Sequence, residues 1–108
     1  MIARLWHGMT PADRAEEYLE YLNSTGVPDY RHTRGNRGVY VLGRTEGDTA
    51  HFLLISLWES RDAIHQFAGE DIEEARYYPA DKEFLLEFEP HVTHYDVLIG
   101  RPAAEPSA

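Results

Sequence analysis

The chain has 108 residues, which is enough for one compact domain and too few for two. Its apolar fraction is 43%, with seven Tyr, four Phe and two Trp, and this excludes an intrinsically disordered chain. The formal net charge of −9 argues against nucleic-acid binding, because an acidic domain repels phosphate backbones. Without cysteine the chain has no disulfides, thiolate metal sites or thiol nucleophiles. No leader or membrane-spanning segment is recognisable, so we expect a cytoplasmic protein that binds no membrane.

The first half of the chain predicts a strand followed by a helix. Residues 2–9 alternate along the chain with a period of two, which is typical of a strand. Residues 10–22 predict a helix, because Thr10 can act as the N-cap and apolar side chains recur at helical spacing. We expect Gly26 to end this helix and a loop to follow as far as residue 37.

The second half predicts a hairpin, a helix and a last strand. Residues 39–44 and 50–59 read as strands, joined by a tight turn of Glu, Gly and Asp at 46–48. We expect a helix that begins after Ser60 and ends at Gly69. A short helix at 71–77, a further turn at 81–86 and a last strand at 91–99 should follow it. Residues 1–99 are then one domain, and residues 100–108 are expected to be a disordered tail.

This order of elements predicts an α+β fold. Strand, helix, strand, strand, helix, strand is the ferredoxin-like βαββαβ arrangement, an antiparallel sheet with helices on one face. The side chains expected under the helices include Ala3, Leu5, His7 and Met9. The side chains expected on the uncovered face are Trp6, Phe52, Leu54 and Trp58. Because so much aromatic surface is not left in water, we expect these four residues to form the interface of a homodimer.

Several segments resemble one known family. They are LWES at 57–60, FAGED at 67–71, ARYYP at 75–79 and VTHYDV at 92–97. Together with the order of elements, they make residues 1–99 similar to the antibiotic biosynthesis monooxygenases of the dimeric α/β-barrel superfamily. The resemblance implies a homodimer, and it implies activities that range from oxygenation of aromatic polyketides without metal or flavin to haem degradation.

The residues that haem degraders of that family use are not retained. The family has an Asn late in the first strand, a Trp on the second helix and a His after the following short helix. The equivalent positions in this chain are His7, Phe67 and Tyr77. The axial haem ligand would therefore be lost unless the Tyr77 phenolate replaces it.

The resemblance places a pocket between sheet and helices. We expect His7 and Tyr77 to be its catalytic polar groups, and its substrate-binding wall is expected to comprise Phe67, Leu5, Met9 and Ile64. A neutral His7 could remove the proton of a phenolic substrate, which would let an electron-rich ring react with oxygen unaided. The alternative is a structural His7 in the core, hydrogen-bonded to Tyr77 or to backbone.

Two other groups of residues have weaker interpretations. Four arginines, Arg31, Arg34, Arg37 and Arg44, lie in a stretch without Asp or Glu. They could bind a carboxylate or phosphate, or they could pair with acidic residues such as Glu70 and Asp71. His91 and His94 would point to opposite faces of a strand, so we predict no metal site.

The function that these observations favour is a small cofactor-independent monooxygenase acting on a compact phenol or quinol. The alternative is a non-catalytic dimer that binds a metabolite or a partner protein. Haem degradation is the third hypothesis.

Overall fold

The fold is ferredoxin-like, as the sequence predicts. A computed structural model describes residues 1–101, and residues 102–108, most of the expected tail, lie outside the described part. The elements in chain order are β1 (Ile2–Pro11), a 3₁₀ turn (Ala12–Arg14), α1 (Ala15–Ser24), α2 (Gly26–His32), β2 (Asn36–Glu46), β3 (Thr49–Trp58), α3 (Arg61–Ala68), α4 (Asp81–Phe84) and β4 (Thr93–Asp96). The strands form one antiparallel sheet in the order β2-β3-β1-β4.

Local signals in the sequence explain most of the boundaries. The β2–β3 hairpin turns at Gly47, whose φ of +59° lies in the left-handed region that glycine adopts without strain. Helix α3 begins after Ser60, whose hydroxyl oxygen accepts a hydrogen bond from the Ala63 N–H. It ends at Gly69, which has a φ of +92°.

Aromatic side chains fill the space between the helices and the sheet. Tyr18 of α1 packs edge-on against Phe52, with ring centroids 5.1 Å apart. Tyr30 of α2 stacks on Phe67 of α3 at 4.3 Å, and Phe67 in turn lies 5.7 Å from Trp58. These rings hold the helices on one face of the sheet and form the hydrophobic core.

The assignment of the two sheet faces from the sequence is wrong. The proposed interface residues are each at most 5% exposed and lie beneath the helices; they are Trp6, Phe52, Leu54 and Trp58. The alternate residues of β1, including Leu5 and His7, are only half-buried and lie on the uncovered face. Alternation separates two sets of side chains, but when both sets are apolar it does not identify the set that the helices cover.

Other predicted elements also differ from the structure. Thr10 lies in β1 and caps no helix, and α1 begins at Ala15. Gly26 begins α2 instead of ending the helical region, and Pro28 lies in the first turn of α2, where proline is tolerated. Residues 71–77 form no helix, because their backbone bonds to the chain near Pro90: the Ala75 N–H donates to the Pro90 carbonyl, and the Val92 N–H donates to the Glu73 carbonyl. The last strand is confined to Thr93–Asp96. No described helix is long and apolar enough to cross a bilayer.

Candidate functional site

The predicted pocket around Phe67 is closed. The cavity there has a volume of about 10 Å³, roughly the space of one water molecule. A separate opening of about 430 Å³ lies between α1, α2 and β2, and none of the predicted site residues lines it. Phe67 and Ile64, expected to line a substrate pocket, are 5% and 0% exposed and pack in the core. The sheet separates them from His7, so the structure does not bring the predicted site together at this place.

His7 instead lies in a hydrogen-bonded cluster on the uncovered face of the sheet. Its Nδ1 is paired with the carboxylate of Glu89. Its Nε2 is 3.1 Å from Nδ1 of His51, and the two imidazoles are stacked with ring centroids 5.4 Å apart. The far nitrogen of His51, Nε2, is 4.0 Å from a carboxylate oxygen of Glu46. We call Glu89, His7 and His51 the histidine cluster.

Strand register places the two histidines side by side. In the β1–β3 ladder Met9 pairs with His51 and His7 pairs with Leu53, so His7 and His51 are diagonal neighbours on one face. Glu89 comes from the irregular chain after α4. That chain is held against β1 by the Leu86 N–H, which donates to the Met9 carbonyl at 2.8 Å.

Tyr77 contributes to the same site in a different way from the one predicted. Its hydroxyl donates to the backbone carbonyl of Glu89, and its ring packs edge-on against Phe88 with centroids 4.9 Å apart. Burial, followed by the nearby carboxylates of Glu89, Asp81 and Glu87, raises the pKa of Tyr77 to about 12. Tyr77 therefore stays protonated at neutral pH and positions the Glu89 segment as a hydrogen-bond donor.

A cavity of about 280 Å³ adjoins the cluster on the uncovered face. Its lining consists of His7, Leu42, Gly43, Arg44, His51 and Leu53. A cavity of about 150 Å³ is enough for benzene, so this one has room for a single substituted ring. Leu5 and Met9 share this face of the sheet but lie outside the cavity lining, so only His7 of the predicted β1 residues borders it.

The order of groups in the cluster allows it to carry a proton. When ionised Glu89 accepts the Nδ1–H of His7, the bare Nε2 of His7 can accept the Nδ1–H of His51. The remaining basic nitrogen is then Nε2 of His51. The cluster is thus an oriented carboxylate–imidazole–imidazole series whose free base is His51, beside apolar walls at Leu42 and Leu53.

The sequence analysis assigned no role to two members of the cluster, His51 and Glu89. The position of His51 could have been predicted, because the alternation of β3 and the hairpin register place its side chain on the same face as His7. Glu89 lies in irregular chain between α4 and β4, and 82 positions separate it from His7. No local pattern indicates such a contact.

The arginine-rich stretch does not form one anion site. Arg37 pairs with Glu59, and Arg44 pairs with Glu46 at 2.7 Å, so these two have acidic partners other than the ones expected. Arg31 and Arg34 are exposed at the end of α2 and in the loop after it. Within residues 1–101 no group of three or more His, Cys, Asp or Glu is arranged to hold a metal ion.

Comparison with known proteins identifies similar folds. No family model matches the chain, and no curated protein matches it. The protein of unknown function NE2512 from Nitrosomonas europaea has a TM-score of 0.64 at 13% identity, over 96% of this chain and 95% of that one. Rv0793 from Mycobacterium tuberculosis has a TM-score of 0.58 at 18% identity, over 94% of this chain and 98% of that one.

A third similar structure is that of a single-residue mutant of MhuD with two manganese protoporphyrin IX bound per active site. Its TM-score is 0.61 at 15% identity, over 95% of this chain and all (100%) of that one. These likenesses cover nearly the whole described domain, and at such low identity they show a common fold alone.

Proposed function

We propose that this chain is a small acid–base enzyme of the cofactor-independent monooxygenase type, which binds a compact phenol or quinol at the histidine cluster. The observation that carries the proposal is the hydrogen-bonded series Glu89–His7–His51 beside a cavity of about 280 Å³. In such a series His51 can act as a general base whose orientation is held by His7 and Glu89, and the apolar walls of the cavity can bind an aromatic substrate ring. The proposed site therefore lies on the uncovered face of the sheet, whereas the sequence predicted it on the helix-covered face.

The chemistry begins with proton removal. Nε2 of His51 takes the phenolic proton, and the positive charge is shared through His7 with the Glu89 carboxylate. The resulting phenolate is electron-rich, and O₂ is the co-substrate that oxidises it. The monooxygenase reaction takes place at a ring methylene carbon conjugated to the phenolate. That carbon gives up four electrons to O₂ and becomes C=O, which keeps one oxygen atom, and the second oxygen atom leaves as water with the two protons of the methylene.

The proposal includes a second copy of the chain over the uncovered face. The middle of that face is formed by uncharged side chains, namely Leu5, Tyr40, Leu42, Leu53 and Ile55. Its area is roughly 550 Å² per copy, taking about ten residues for each of β1, β2 and β3 and four for β4, so two copies would bury about 1,100 Å². That is the lower bound of stable interfaces, and a chain of net charge −9 associates best through an uncharged patch.

Haem chemistry, suggested by the porphyrin in the MhuD structure, does not fit these residues. The core around Phe67 holds a cavity of about 10 Å³, and the opening of about 430 Å³ between α1, α2 and β2 has no His, Cys, Met or Tyr in its lining to ligate haem iron. The Tyr77 hydroxyl, at the position of the family's axial ligand, stays protonated and donates a hydrogen bond to the Glu89 carbonyl.

The test is oxygen consumption with a panel of phenols and quinols, measured for the parent and for His51→Gln, His7→Asn and Glu89→Gln. We expect turnover to fall by a factor of about 10² to 10⁴ in His51→Gln, because the base is lost. The matched control is His65→Gln, on the exposed side of α3, which should keep parental turnover.

The same panel, followed by tryptophan or ligand fluorescence, measures binding. If the parent binds a ring compound but consumes no oxygen above the uncatalysed rate, the enzymatic proposal is wrong and the non-catalytic binding protein takes its place. If turnover is parental in all three cluster variants, the site lies elsewhere.

A further inference from the structure

Arg4 carries a buried positive charge on the opposite face of the sheet from the histidine cluster. It lies on β1 on the helix-covered face and is 1% exposed. Its Nη2 donates to the Glu74 carbonyl at 2.9 Å and to the Ile72 carbonyl at 3.4 Å. Its Nε and Nη1 are fully buried and have no hydrogen-bond acceptor among the described residues. The three N–H donors on Nε and Nη1 therefore lack an acceptor of good geometry, although the Tyr30 phenol lies close to the guanidinium.

The charged groups around Arg4 do not neutralise it. Within residues 1–101 no carboxylate lies at ion-pair distance from its guanidinium, whereas other arginines of the chain have such partners. Another cation lies close by: Arg4 and Arg76 both lie over the Phe67 ring, at 5.6 and 4.7 Å from its centroid. Burial lowers the pKa of Arg4, the Tyr30 phenol opposes this effect, and Arg76 adds to it.

A second buried group without a hydrogen-bond partner lies beside Arg4 on the adjacent strand. His94 on β4 is the register partner of Arg4, and its Nε2 is buried without a hydrogen-bond partner. Burial and the charges of Arg4 and Arg61 lower the pKa of His94, and Glu73 opposes them. Paired residues of adjacent strands have Cβ atoms about 5 Å apart, so both groups can reach one small ligand.

We infer that a small monovalent anion of the carboxylate class binds between Arg4 and His94. An arginine does not lose its proton in a protein, so a buried guanidinium without a counter-ion is strongly unfavourable. One negative charge neutralises it, and an oxygen of the anion can accept from Nε or Nη1 of Arg4 and from the Nε2–H of His94. A dianion such as sulfate brings a larger desolvation cost and an unmatched second charge.

The chain that covers Arg4 can open to admit such a ligand. Residues 69–80 contain no helix and no named strand. They are joined to the rest by the bridge between Glu74 and His91, by the two hydrogen bonds from Arg4, and by contacts of Arg76, Tyr77 and Tyr78. Irregular segments open at a lower free energy than core strands and helices, which gives a small ligand a route to the guanidinium.

The experiment uses formate as the probe and the full chain as the sample. The Nε–H resonance of Arg4 is followed by ¹⁵N NMR while formate replaces chloride at constant ionic strength, and the thermal midpoint Tm is measured in parallel. We expect a saturable shift of the Arg4 resonance and a Tm that rises with the logarithm of the formate concentration. His94→Leu should weaken binding by about tenfold, because one of the two hydrogen-bond donors to the anion is lost. Arg31→Met, on the exposed end of α2, should respond as the parent does.

Three results would overturn the inference. The first is an Arg4 resonance that does not move with formate, which leaves Arg4 as a clamp for residues 72–74 alone. The second is an equal rise of Tm in Arg4→Met and Arg31→Met, which is a general salt effect. The third is a response to chloride equal to that to formate, which excludes carboxylate selectivity. None of these measurements depends on oxygen consumption, so the inference and the proposed function are tested separately.

Discussion

The two faces of the sheet are made of the same strands and have different compositions. Under the helices lie large aromatic rings, with Trp6, Phe52 and Trp58 packed against rings of the helices. The uncovered face has aliphatic side chains such as Leu53 and Ile55, and the histidine cluster lies at one end of it. An aromatic side chain buries more area than an aliphatic one, so a modest core of this size takes its rings on the side that the helices cover. Among the strand residues, Trp and Phe occur only on the covered face, whereas the tyrosines of the uncovered face, Tyr40 and Tyr95, are 60% and 58% exposed.

The strongest test of this contrast is Trp58→Ala against Tyr40→Ala. Trp58 is 0% exposed and Tyr40 is 60% exposed, although both are aromatic and lie on neighbouring strands. We expect the free energy of unfolding to fall by about 3 to 5 kcal/mol for Trp58→Ala, because a cavity forms in the core. For Tyr40→Ala the loss should be below about 1 kcal/mol in the monomer. Urea titration of both variants measures the difference, and equal losses would contradict the assignment of the faces.

The uncovered face is tested by Ile55→Lys. A charge in the middle of an apolar interface is unfavourable, whereas on an open surface it is harmless. We expect light scattering to give the parent twice the chain mass of 12.4 kDa, and Ile55→Lys the mass of one chain with unchanged circular dichroism. Leu19→Lys, on the outer side of α1 and 49% exposed, is the matched control and should remain dimeric. A parent of single-chain mass at micromolar concentration would exclude the dimer.

Sequence patterns predicted the elements of the fold better than the site. Helix α3 begins after Ser60 and ends at Gly69, and the hairpin turns at Gly47. Each of these boundaries depends on the residue itself and can be predicted from the local sequence. The contact of His7 with Glu89 depends on how an irregular segment returns to β1, and no local pattern encodes it. The choice of covered face is likewise a property of the whole packing.

A smaller effect is expected from Asp81, the buried carboxyl on the helix-covered side. It is 2% exposed and accepts hydrogen bonds from the Tyr18 hydroxyl at 3.0 Å and from the Tyr78 N–H. Burial raises its pKa, and the two hydrogen bonds oppose the rise. The folded state therefore holds the proton more tightly than the unfolded state, and stability falls as pH rises from about 4 through the raised pKa.

Asp81→Asn should remove this pH dependence, because the amide does not titrate. The expected change is about 1.4 kcal/mol for each unit by which the pKa is raised, measured by urea titration between pH 4 and pH 7. Glu83→Gln, on the exposed part of α4, is the control and should keep the parental slope. A parental slope in Asp81→Asn would assign the pH dependence to other carboxyls.

The smallest effect on stability is expected from His7→Asn, and it separates the two interpretations of this residue. A histidine in the core would leave a buried partner unsatisfied on replacement and would cost about 1 to 3 kcal/mol. The side chains of His7 and Glu89 are instead 33% and 36% exposed, so water can replace the lost bond. We therefore expect a change below about 0.5 kcal/mol, a value typical of surface substitutions, when it is measured in the Ile55→Lys background to remove any contribution of the dimer. A loss above about 1 kcal/mol there would mean that the His7–Glu89 pair holds the chain after α4 against β1, and a fall in turnover could then no longer be assigned to proton transfer.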